Sequence, residues 1–77
     1  MNSNNNVAFT VLISLGYPIE RARVAIIALS GIKLINISNQ LEIPRQNIEE
    51  VIKGKRNTKW IQKRIANLLK IPVNTLF

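Results

Sequence analysis

The chain contains no cysteine, no histidine and no aspartate among its 77 residues. Without Cys or His, disulfide cross-links, Cys/His zinc sites, thiol nucleophiles and imidazole bases are ruled out. Acidic groups are scarce too. Glu20, Glu42, Glu49 and Glu50 are the only side-chain carboxylates, a poor inventory for a metalloenzyme or a glycosidase. A non-enzymatic protein is expected, with no metal, no cofactor and no small-molecule ligand. The apolar run from Val7 to Leu15 is less than half of the roughly 20 residues that a membrane-spanning helix needs. The residues before it, Met-Asn-Ser-Asn-Asn-Asn, lack the basic opening of a secretory signal. Nothing requires an oxidising compartment, so a soluble, cytoplasmic protein with no membrane partner is expected.

What the chain does contain is apolar surface and positive charge. Hydrophobic residues make up 47% and charged residues 19%, the balance of a folded chain rather than a disordered one. This length supports a single domain with one small core, expected over residues 7–77 after a frayed polar tail at 1–6. The formal charge is +7, and its distribution is uneven. Residues 1–52 hold Arg21, Arg23, Lys33 and Arg45 together with all four glutamates, and so balance to zero. Residues 53–70 hold Lys53, Lys55, Arg56, Lys59, Lys63, Arg64 and Lys70 with no acid, so the whole excess sits there. A local field of that kind attracts polyanions, although scattered lysines also keep a small apolar protein in solution.

Hydrophobic spacing indicates four or five helices and an all-α fold. Residues 7–15 fit both a strand (Val7, Phe9, Val11, Ile13) and a helix (Ala8, Val11, Leu12, Leu15). Helix is favoured because no partner strand is evident, and Gly16-Tyr17-Pro18 ends the element. A second helix runs from Ile19 to about Ser30, with Ala22, Ile26 and Leu29 on one face, Arg23, Ala25 and Ile27 around it, and Gly31 as its stop. Leu34–Leu41 forms a third. Pro44 opens a fourth, with Ile48, Val51 and Ile52 inward and Gly54 at its end. Thr58 is placed to cap a last helix whose Ile61, Ile65, Leu68 and Leu69 face the core. Pro72 terminates that helix, and Leu76 and Phe77 are expected to fold back.

The segment LINISNQLEIPRQNIEEVIKG, residues 34–54, joins two short helices through Glu42-Ile43-Pro44. Ile37, Leu41, Ile43, Ile48 and Val51 are spaced to share one small core, with Ser38 where the helices approach closely. This is helix-turn-helix spacing, in which the second helix can enter a major groove. On these residues, the Lys53-Gly54-Lys55-Arg56 exit and the closing Ile65-Ala66-Asn67-Leu68-Leu69 with Leu76-Phe77, the chain resembles the phage repressor, Cro and Ner type of helix-turn-helix regulators. The resemblance covers about Ile19 to Phe77, and Trp60–Phe77 looks especially like the end of Ner-type proteins. It implies a lambda-repressor-like fold. Three positions depart from the pattern. Glu42 replaces the usual turn Gly, which strains its backbone if φ is positive. Pro44 replaces the Ser/Thr cap, and Leu34 replaces a frequent phosphate-contacting Gln. The segment Leu12–Pro18, with Ala22 and Leu29, is also similar to the first two helices of ubiquitin-associated-like domains; a helical hairpin supplying core or dimer surface is the plainer reading.

The resemblance implies that the helix from Pro44 to Lys53 reads double-stranded DNA. Arg45, Gln46, Asn47, Glu50 and Lys53 fall among the base readers, with Glu49 beside them; Arg suits guanine, Gln or Asn adenine, and Glu the cytosine amino group. Lys55, Arg56, Asn57, Thr58 and Lys59 become phosphate contacts. One such helix reads only a few base pairs, so the resemblance implies a homodimer on half-sites about 34–36 Å apart, joined through residues 7–15 or 73–77. Glu49 and Glu50 are discordant beside a polyanion unless they pair or read bases. They leave open a second reading, a protein-interaction module such as an adaptor or anti-repressor. Trp60 is expected as a half-buried packing residue, with stacking on an exposed base as its other use, and Lys63 and Arg64 as a solvated face.

Overall fold

The computed structural model describes residues 4–77. Six helices follow in chain order: α1 (Asn4–Ser14), α2 (Ile19–Leu29), α3 (Leu34–Leu41), α4 (Arg45–Ile52), α5 (Lys59–Leu69) and α6 (Val73–Leu76), with no strand among the described residues. The all-α expectation holds, and residues 7–14 of the ambiguous segment are helical. The count is six rather than four or five, because the turn after Pro72 closes into a helix of its own. The Pro72 carbonyl accepts the N–H groups of Thr75 and Leu76, each at 3.0 Å. The polar tail expected at residues 1–6 does not extend over residues 4–6. Asn4–Asn6 form the first turn of α1, and Asn5 Nδ2 donates to the Leu69 carbonyl at 2.9 Å. That bond fastens α1 to the far end of α5; residues 1–3 lie outside the described residues.

The helices start and stop for local reasons. All three prolines of the chain stand immediately before a helix, Pro18 before α2, Pro44 before α4 and Pro72 before α6. A proline there has no N–H to leave unpaired and cannot continue the preceding element. The helices end in left-handed turns at Gly16, Gly31, Glu42, Gly54 and Lys70. After α4 the Gly54 N–H bonds the Val51 carbonyl at 3.1 Å and the Lys55 N–H bonds the Glu50 carbonyl at 2.8 Å, the paired bonds of a Schellman turn. Glu42 occupies the same conformation without being glycine, at φ 56° and ψ 44°. Its turn is held by Ile43 N–H on the Ser38 carbonyl at 3.1 Å and by the Ser38 hydroxyl, which donates to the Ile43 carbonyl.

Sequential helices pack in pairs, α1 on α2, α3 on α4 and α5 on α6. One core joins them, built from Phe9, Ala22, Ile26, Ile37, Ile48, Val51, Ile65, Leu69 and Leu76 with their neighbours. The radius of gyration is 11.4 Å, against about 11.5 Å for a globule of this length. Leu29, placed on the inward face of α2 by the spacing, is instead exposed, and Ile27 is buried in its stead.

Arg23 is the least expected member of this interior. Only 7% of its surface is exposed, although the sequence offers no carboxylate positioned to meet it there. Nε donates to the Leu76 carbonyl at 2.7 Å and Nη1 to the Ile52 carbonyl at 3.0 Å. Those are the last residues of α6 and α4, where backbone carbonyls lack helical partners and the helix ends carry partial negative charge. The guanidinium also lies 4.6 Å from the Phe77 ring centroid. Burial pulls its pKa below the ordinary value and Glu20 partly restores it. A guanidinium stays charged regardless, so Arg23 ties α2, α4 and α6 together at every ordinary pH.

Candidate nucleic-acid interface

On α4, Ile48, Val51 and Ile52 are buried. Helical geometry therefore puts Gln46, Glu50 and Lys53 on the opposite, outward face, with Arg45 and Asn47 at its flanks near the helix start. Arg45, Gln46 and Lys53 are exposed, whereas Asn47, Glu49 and Glu50 are half-buried. Of the expected base readers, the structure puts Gln46, Glu50 and Lys53 on one face of α4, with Arg45 and Asn47 on either side of it. No side chain caps the start of α4, in keeping with Pro44 in the cap position.

The two discordant glutamates are both paired. Arg45 Nε lies 3.3 Å from Glu49 Oε2, one turn along. Glu50 Oε1 accepts from Arg56 Nε at 2.9 Å and lies 2.8 Å from Arg56 Nη2, while the Glu50 backbone carbonyl accepts the Lys55 and Arg56 N–H groups. Glu50 therefore fixes the chain leaving α4, and Arg56 is held by a carboxylate rather than free in solvent. Such exposed pairs contribute about 0–1 kcal/mol each, so a phosphate or a base edge can displace them.

Lys55, Arg56 and Asn57 are exposed in the connection between α4 and α5, Thr58 there is half-buried, and Lys59 is exposed at the start of α5. Thr58 holds the cap position of α5 but makes no side-chain cap bond, contrary to expectation. Its backbone has the extended geometry of a cap, yet its hydroxyl leaves the first N–H groups of α5 without a side-chain acceptor. Asn57 has a structural task, since its Oδ1 accepts from the buried Gln62 Nε2 at 3.0 Å, which pins the loop to α5.

The surroundings of Lys59 have no counterpart in the sequence pattern. With Gln62, Lys63, Val73, Asn74 and Phe77 it lines an open cleft of about 410 Å³ between α5 and α6. The cleft exists only because residues 73–76 wind into a helix, a feature without a periodic signal. Trp60, expected to be half-buried, is 53% exposed, because the inward positions of α5 are filled by Ile61, Gln62, Ile65, Ala66 and Leu69. Lys63 and Arg64 are exposed as expected.

No cluster of three or more acidic, histidine or cysteine residues that could hold a metal occurs among the described residues. No single helix there is long and apolar enough to cross a membrane; α2 and α3 together reach the length but meet at 88°. Comparison with family models, characterised proteins and solved structures finds no match.

Proposed function

We propose that this protein is a sequence-specific double-stranded DNA-binding regulator of phage or prophage type, acting in a bacterial cytoplasm without catalysis, most simply as a repressor. The α3–α4 unit serves as the helix-turn-helix of a lambda-repressor-like fold, and α4 enters the major groove. The observation that carries this reading is the position of the acid-free segment. Lys53, Lys55, Arg56 and Lys59 begin where the polar face of α4 ends, so one surface offers both base-reading groups and phosphate-binding charge. The pairing of Glu49 with Arg45 and Glu50 with Arg56 supports it further, since neither carboxylate stands bare against a polyanion.

Arg45, at the first position of α4, is where recognition helices meet base edges; its pair with Glu49 orients the guanidinium without holding it tightly. Lys55, Arg56 and Lys59, with the open N–H groups at the start of α5, take phosphate oxygens. Two copies on a two-fold-symmetric operator supply the length of site that one helix cannot.

Selection from a random duplex pool at near-physiological salt tests the proposal. An enriched inverted repeat with half-sites one helical turn apart is the expected result. Arg45→Ala should erase the sequence preference and leave weak general binding, whereas Lys55→Ala should weaken all duplexes alike and lower the salt slope by about one. Failure to retain any duplex would overturn the reading in favour of a protein-interaction module. Unchanged selectivity in Arg45→Ala would overturn the role of α4.

A further inference from the structure

We propose that the cleft between α5 and α6 binds a small phosphomonoester of nucleotide size, with Lys59 and Lys63 on the phosphate and Gln62, Val73 and Phe77 on the rest of the molecule. The site stands whether or not the protein reads DNA. Its volume of about 410 Å³ lies within the range of about 300–1,000 Å³ that small-ligand sites occupy. No motif marks it in the sequence, because its walls come from α5 and from residues 73–77, which only the fold brings together.

Three features of the α5 wall suit an anion. α5 opens with Lys59 and has no acid in its first turn, so a cation sits at the positive end of the helix. Thr58 makes no side-chain cap bond there, which leaves the first N–H groups open. Lys59 and Lys63, one turn apart, both line the cleft and repel each other. Among the described residues neither is ion-paired, whether with a glutamate or with the terminal carboxylate. Each feature is unfavourable to the helix alone, and one anion relieves all three. A phosphomonoester carries about 1.5–2 negative charges at neutral pH, a match for two lysines that a single carboxylate does not give.

The rest of the cleft selects what the phosphate is attached to. Gln62 is only 8% exposed, and its Nε2 is committed to Asn57 Oδ1. Its Oε1 has no partner among the described residues, yet no fully buried side-chain oxygen or nitrogen there lacks one. Oε1 therefore belongs to the small part of Gln62 that meets the cleft, a fixed acceptor for a hydroxyl or amino group. Val73 and Phe77 are half-buried beside it, and the Phe77 ring is held by the Arg23 guanidinium, 4.6 Å from its centroid. A charged end, a hydrogen-bond donor and an apolar ring describe a nucleoside phosphate better than inorganic phosphate.

Lys59 also stands among the proposed DNA phosphate contacts, so a bound nucleotide and a duplex compete for it. That regulatory link rests on the proposed function, whereas the site itself does not. Isotope-labelled protein titrated with adenosine monophosphate should show saturable NMR shifts at Lys59, Gln62, Lys63 and Asn74. Adenosine and inorganic phosphate, each lacking one half of the ligand, should bind about tenfold more weakly. Lys63→Glu should weaken binding about tenfold or more. Arg64→Glu, which changes the charge equally at an exposed position outside the cleft, should bind like the parent. Both variants should keep the parent's circular dichroism spectrum. Adding the monophosphate should lower duplex affinity in the parent and not in Lys63→Glu.

Equal losses in the two variants, or shifts spread evenly over all basic residues, would overturn the site and leave general counter-ion binding. Inorganic phosphate bound as tightly as the nucleotide would overturn the roles of Gln62 and Phe77. Binding to phosphatidylcholine vesicles that carry phosphatidic acid, without binding of the free monophosphate, would replace the soluble ligand by a lipid headgroup and so overturn the proposal. A protein that selects DNA sites but shows no cleft shifts would overturn this inference alone. Saturable cleft shifts in a protein that retains no duplex would support it while overturning the regulator reading.

Discussion

At the scale of single residues, two charged side chains have tasks that their sequence positions conceal. Arg23 looks like one more surface cation on an amphipathic helix, because its partners are backbone carbonyls 29 and 53 residues away and carbonyls have no signature in sequence. Arg23→Leu removes the donor from two helix ends at once, and a buried acceptor left unpaired costs about 1–3 kcal/mol. A loss of about 2–6 kcal/mol is expected from the two acceptors together, read from the urea midpoint, with Arg23→Lys intermediate because an ammonium lacks the forked geometry. Glu50 is the second case. Holding Arg56, it withdraws one cation from the field that duplex DNA would meet under the proposed function. Glu50→Gln should raise affinity for arbitrary duplexes and steepen the salt slope by about one, measured by anisotropy titration at several salt concentrations. An unchanged slope would mean that Arg56 does not reach phosphate. Helical spacing alone sorts α4 into two faces, but the candidate base readers on it come from the resemblance to helix-turn-helix regulators and not from the spacing. The pairing of Glu49 and Glu50 is only one of several choices the sequence leaves open, since rotamers decide which neighbour a carboxylate takes.

At the scale of elements, α2 to α5 lie within a residue or two of where apolar spacing, glycine and proline put them. The element that escapes a sequence reading is α6, a single turn too short for any period to register. The ambiguity of residues 7–15 has a physical root as well: a segment apolar on most sides fits a strand and a helix period at once. Glu42 is the clearest local conflict. A side chain in the left-handed region costs about 1–2 kcal/mol, partly offset by the greater chain entropy that glycine would lose on folding. Glu42→Gly should therefore raise stability by up to about 1 kcal/mol, and Lys70→Gly, at φ 60°, by a similar amount; Glu42→Val should lower it. Thermal melts of the three variants decide the matter. Should Glu42→Gly gain nothing, the Ser38 hydroxyl bond across the turn already offsets the strain.

At the scale of the whole molecule, charge and apolar surface are segregated along the chain, and that segregation is written in the residue order itself. Residues 1–19 carry no charged side chain and residues 53–70 carry the entire positive excess. The fold sets the start of α1 against the end of α5, beside Lys70, and the basic connection that carries Lys55 and Arg56 at the other end of that helix. One further consequence concerns time rather than stability. Neighbouring helices pack in pairs and need only short loops to close, so each pair can form quickly, whereas Arg23 joins helices drawn from all three. Its bonds are expected to be the last made. Arg23→Leu should then leave the refolding rate nearly as it is and speed unfolding by almost the full loss of stability, a change confined to the unfolding arm of a denaturant chevron. The side chain that is hardest to read in the sequence is thus the one expected to set how long the native state lasts.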